Sequence, residues 1–143
     1  MFRIQEDYLV LLDGPDSRVV GFAPDSGHYA KGGMDVIEYV NTYRPLIKHT
    51  HFIDMTISGG WTAMGAGIIN FPRIVTMLRD SGYARWIMVE EESSEAEANP
   101  DVATTKNGQY LQRPLPPLVQ VSPGHLFDSF RIIRKRHGLF ITF

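Results

Sequence analysis

Three short stretches carry the side chains best able to do chemistry. Residues 25–28 read Asp-Ser-Gly-His, residues 49–54 read His-Thr-His-Phe-Ile-Asp, and residues 90–92 are three consecutive glutamates. His49 and His51 stand two residues apart, so on a strand their imidazoles share one face. One imidazole with two or three carboxylates is a mostly oxygen donor set. It suits Mn²⁺, Mg²⁺ or Co²⁺ in octahedral geometry better than it suits structural zinc. Such an ion can bind adjacent oxygens of a hydroxy-carbonyl compound and stabilise the enediolate left when a carbon-bound proton is removed. Carboxylates beside the substrate can carry that proton. Each stretch also has an ordinary reading. Asp25 could cap a turn, a histidine on an apolar strand is often a satisfied core residue, and the acidic run 90–97 could be a solvated loop.

What would bring these residues together is an alternation of strands and helices. Ile4, Tyr8, Leu11 and Leu12 fall at helical spacing before a stop at Gly14-Pro15. Residues 18–24 read as a short buried strand and 25–33 as a polar loop. Ile37, Val40 and Tyr43 return to helical spacing, and Pro45 ends that helix. Residues 46–53 form a second strand, followed by a Gly-rich loop over 54–70. Asn70 is a fitting N-cap for a helix with Pro72 in its first turn and Gly82 at its end. Residues 85–90 are a third strand, and a final helix begins at Asn99-Pro100. This order predicts an α/β fold with parallel strands and crossover helices.

In such folds ligands bind at the carboxyl ends of the strands. All three predicted strands end in candidate donors: Asp25 with His28, then His49, His51 and Asp54, then Glu90, Glu91 and Glu92. That coincidence favours a shared metal site over three separate ordinary explanations. From Arg113 the character changes to a Pro-rich and then apolar and basic segment, expected to be an irregular tail or a docking segment.

The chain of 143 residues has the length of one domain. Its net charge of −2 gives no electrostatic reason to expect nucleic acid or an acidic membrane as partner. Cysteine is absent, which excludes disulfides and thiolate metal sites and suits a reducing compartment. No apolar run approaches the roughly 20 residues of a membrane span, and no signal pattern opens the chain. The expected setting is the cytoplasm.

The stretches "FAPDSGHYAKGG", "IKHTHFIDM", "GGWTAMGAGIINFPRIVTMLRDSGY" and "RWIMVEEES" together resemble the C-terminal part of the sugar phosphate isomerase/epimerase superfamily. This is the xylose isomerase-like TIM barrel group, with inosose dehydratase, hydroxypyruvate isomerase and ketose 3-epimerase relatives. The resemblance implies a partial (β/α)8 barrel of about three C-terminal βα units over residues 1–112, with 113–143 as the tail. It implies Asp25, His51 and Glu90 as ligands of a divalent metal, Mn²⁺ first and Mg²⁺ or Co²⁺ as alternatives. Glu90 and His28 would be catalytic, with His28, Trp61, His49 and Asp54 binding a small sugar or polyol.

Departures from the family pattern include Ile53 before Asp54, where relatives carry Lys, and Ala66 and Asn70 in place of two loop acids. The family's first metal-binding Glu has no counterpart, and a full barrel needs about 250 residues. The expectation is therefore a fragment of a divalent-metal-dependent sugar (phosphate) isomerase or epimerase working through an enediolate and incomplete alone. It would self-associate or require a complementary N-terminal half-barrel chain. The alternatives are an inosose dehydratase-type lyase and a non-catalytic remnant or interaction protein. A cupin, suggested by the His-x-His pair, conflicts with the helix after Asn70. An endonuclease relative lacks a basic stripe for phosphates.

Overall fold

A computed structural model describes residues 16, 21–83 and 85–112 and the backbone of residues 131–135 and 138–142. The predicted N-terminal helix, residues 18–20 of the first predicted strand and the Pro-rich stretch to residue 130 lie outside the described residues. What remains of the first strand runs parallel beside the second. Phe22 bridges Ile47 and Asp25 bridges His51, and the His51 N–H donates to the Pro24 carbonyl at 2.8 Å.

Helix α1 (Ser26–Lys31) follows at once, in the stretch expected to be a loop. The Asp25 carboxylate caps it by accepting from the His28 N–H at 3.0 Å. Gly27 is required there, since a Cβ would meet the Ile53 carbonyl oxygen at 2.7 Å. Helix α2 (Val36–Tyr43), capped by Asp35, runs into a 3-10 turn at Arg44–Leu46, where Pro45 stops it as predicted.

Strand β1 (Thr50–Phe52) leads to two short strands, β2 (Asp54–Met55) and β3 (Trp61–Thr62), paired antiparallel within the expected Gly-rich loop. Helix α3 (Phe71–Asp80) opens as predicted, with the Asn70 side chain accepting from the Arg73 N–H at 3.1 Å. It buries Phe71, Ile74, Val75 and Leu78, the spacing of one helical face. Strand β4 (Trp86–Val89) lies parallel to β1, with His51 opposite Met88. Helix α4 (Ser94–Ala98) forms in the acidic run and is capped by Ser93, and α5 (Pro100–Gln112) follows. Strands β5 (Arg131–Lys135) and β6 (Gly138–Thr142) give order to the end of the segment expected to be irregular. Strand β6 pairs antiparallel with β4, making the sheet order β1-β4-β6-β5.

The fold is thus α/β with parallel strands and no closed barrel among the described residues. Thr50, Phe52, Ile87 and Val89 point to one side and are buried. On that side the Phe52 and Phe71 rings meet at a tilt, 5.0 Å apart, within the main core, which also holds α2 residues and Leu111. Alternation sends His49, His51, Met88 and Glu90 to the other side. The core fixes the strands, and the strands aim the polar side chains. No helix among the described residues is long and apolar enough to cross a membrane.

Candidate metal centre

Asp25 and Glu90 sit at the edges of their strand segments, and His51 lies within β1 between them. Asp25 is tied to β1 by its bridge to His51, and the Glu90 N–H donates to the Phe52 carbonyl at 2.9 Å. These backbone links bring one donor atom each from Asp25, His51 and Glu90 within 4.8 Å of one another. His51 Nδ1 and Glu90 Oε1 are 2.8 Å apart. Two neighbouring ligands around an octahedral ion stand about 3 Å from each other, so the pair already has the separation an ion requires. Two carboxylates and one imidazole also match the oxygen-rich preference of Mn²⁺ or Mg²⁺. Burial pushes the Asp25 carboxyl above its usual range, and the charge of Glu90 pushes the same way, against the His28 N–H and two imidazoles. A cation would offset that crowding of negative charge. The residues fit such an ion.

The other expected site residues fall around this cluster. His28 packs edge-on to Trp61 at 4.9 Å, and Lys31 Nζ lies 4.2 Å over the same indole. Trp61 therefore stands between two side chains of α1, next to the helix capped by Asp25. His49 meets His51 edge-on at 4.8 Å and is not one of the three clustered donors. Burial lowers its pKa, as does the neighbouring His51, against a hydrogen bond with the Trp86 backbone and the charge of Glu90.

Asp54, expected to bind substrate, lies apart from the three clustered donors. It is 0% exposed, and its two oxygens accept from the backbone N–H groups of Met55, Gly65, Gly67 and Ile69 at 2.9–3.1 Å. The backbone takes up the hydrogen-bonding capacity of both oxygens. Glu92 is exposed, and Glu91 turns one oxygen to the Ser93 N–H at 3.1 Å.

Residues 3–113 match the family described as xylose isomerase-like TIM barrel. The chain belongs to that family. Among relatives of this xylose isomerase-like chain, inosose dehydratase of Lacticaseibacillus casei is 32% identical over 123 residues, covering 73% of this chain and 41% of that protein. Inosose dehydratase of Bacillus thuringiensis strain Al Hakam is 29% identical over 120 residues, covering 71% of this chain and 40% of its own length. The chain spans about two-fifths of these relatives.

Two residues of this xylose isomerase-like unit were not singled out from sequence. Asn107 is buried on α5, and its Oδ1 accepts from the Met64 N–H at 2.8 Å. Its signal was there: an amide in line with Ala103 and Leu111 at four-residue spacing, on the apolar face of a helix. Lys31 carried no such signal, because its partner Trp61 is thirty residues away.

Proposed function

We propose that this chain supplies the metal-holding part of a divalent-cation-dependent sugar or polyol isomerase or epimerase. The observation that carries the reading is the meeting of Asp25, His51 and Glu90 on three adjacent strand segments. When bound, the cation, Mn²⁺ by preference, would polarise adjacent substrate oxygens as a Lewis acid. The remaining work falls to side chains. Glu90, with its carboxylate 27% exposed, removes a proton from the carbon next to a carbonyl. His51 and Glu90 would share the cation in place of the hydrogen bond between them, His28 donates to a substrate hydroxyl, and Trp61 walls the sugar on the His28 side. His49 supports His51 from the same face of the sheet.

The second carboxylate that returns the proton comes from another chain, either a second copy or a complementary half-barrel. The reaction runs in the cytosol, a location suited to a sequence without cysteine.

The names of the relatives favour one variant, loss of water from an inosose, which begins with the same proton removal. Solvent exchange tests the shared step. The chain is incubated in D₂O with Mn²⁺ and a ketose or an inosose, and deuterium at the carbon beside the carbonyl is followed by NMR. The wild type should incorporate deuterium and Glu90→Gln should not. Equal incorporation by both proteins would remove Glu90 from the role. Appearance of an epimer, an isomer or a dehydrated product then separates the variants.

A further inference from the structure

Asp54 ends the strand line that carries His51 and begins β2. Its burial needs an explanation, because an isolated buried carboxylate is costly unless hydrogen bonds replace its water. No basic side chain pairs with it among the described residues. Four backbone N–H groups do the work instead. Oδ1 accepts from Met55 at 2.9 Å and Ile69 at 3.1 Å, while Oδ2 accepts from Gly65 at 2.9 Å and Gly67 at 3.0 Å.

Three of these donors belong to one short segment, 64–69, which wraps around the carboxylate. That wrapping demands the glycine at 67, since a Cβ there would collide with the Asp54 carboxylate and the Met55 carbonyl. Asn107 holds the start of the segment through the Met64 N–H, and the Ile68 N–H donates to the Met55 carbonyl at 2.9 Å. The same Asp54 lies opposite Thr62, and Met55 lies opposite Trp61, in the β2–β3 pair. The carboxylate therefore pins both ends of the excursion that presents Trp61 to His28 and Lys31.

We infer that Asp54 is a positioning residue. It holds segment 64–69 and, through the β2–β3 pair, sets Trp61 against His28 at the rim of the Asp25–His51–Glu90 site, without touching substrate itself. The inference rests on the reading that His28 and Trp61 border the substrate, but its first observables do not depend on turnover.

Asp54→Asn isolates the effect. Each oxygen takes two N–H donors, so either orientation of the asparagine amide turns its NH₂ toward two donors and leaves both unsatisfied. The variant is made in a Trp86→Phe background, where Trp61 is the sole tryptophan. Trp61 emission, deuterium exchange at Gly65, Gly67 and Ile69, and calorimetric titration with Mn²⁺ are then compared with the Trp86→Phe parent. Trp61 emission should move to the red, and the three amides should exchange about tenfold faster or more. Mn²⁺ affinity should change by less than about twofold, because no metal donor is altered. A folded Asp54→Asn protein with unchanged emission and exchange would overturn the assignment. So would a loss of Mn²⁺ affinity as large as that of a ligand variant, which would place Asp54 in the donor set. If the parent itself does not bind Mn²⁺, the metal reading fails, while emission and exchange still decide the role of Asp54.

Should Asp54→Asn not fold, Gly67→Ala pushes the segment off the carboxylate from the other side. A folded Gly67→Ala protein with displaced Trp61 emission supports the anchor, and one with the parent's emission refutes it.

Discussion

Replacing His51 by alanine separates the metal site from the scaffold that carries it. The imidazole is one of three donors within 4.8 Å, and its Nδ1 lies 2.8 Å from Glu90 Oε1. Removing a residue that only orients a ligand costs about 10–100-fold in metal affinity. A direct donor should cost at least the upper figure, about 2.7 kcal/mol. The fold should hardly notice. The His51 and Glu90 side chains are 30% and 27% exposed, so solvent screens their pairing and its share of stability is under about 1 kcal/mol. For a domain of this size that is about 4 °C or less in Tm. Calorimetric titration with Mn²⁺, beside a melting curve without metal, reads both numbers. A His51→Ala protein that melts like the wild type and loses less than about threefold in affinity would refute the donor set, since an octahedral site cannot give up its one nitrogen so lightly.

Asp25→Asn should cost metal binding as well, yet leave the metal-free protein at least as stable at neutral pH. Burial raises the Asp25 pKa from 3.8, so as pH climbs through that window the folded state must release a proton the unfolded state has already lost, and stability falls. Asparagine caps α1 as well as aspartate does and carries no charge to desolvate. Urea melts at pH 7 that place the variant clearly below the wild type would contradict this. His49 has the opposite linkage. Its pKa is lowered from 6.5, chiefly by burial and next by His51, so its contribution is complete above 6.5 and is lost as pH falls toward the folded value. His49→Gln should flatten the pH dependence of stability between pH 7 and 5, and an unchanged slope in urea melts across that range would count against the account.

Local signals were legible wherever they were redundant. Helix α3 announced itself through Asn70, Pro72 and an apolar face repeating from Phe71 to Leu78. Strand β4 showed as a short run rich in Ile, Met and Val, and the donors could be assigned to one end of the sheet because parallel α/β folds put their ligands there. Helix α1 was hidden because Gly27, needed for close approach to Ile53, weakens helical propensity in a six-residue element. Strands β2 and β3 are two residues each, too short to show a period. The burial of Asp54 was hidden for a subtler reason. A polar residue at a strand end reads as facing a ligand, and only the return of the chain at 65–69 buries it. Nothing near residue 88 announced that β6 would lie beside it, since pairing across fifty residues is set by the whole sheet.

The parallel register of β1 with its two neighbours makes the donor set a test of correct chain pairing. Shift β1 by one residue and Thr50 or Phe52 would take the place of His51, while the imidazole turned into the apolar layer. Half-formed arrangements then offer an ion one carboxylate or two, but never the full triad. Affinity would appear only after both pairings had locked, late in folding. A bound ion should accordingly slow unfolding while leaving the refolding rate nearly untouched, so that occupancy would act as a latch on the finished sheet and not as a seed for it.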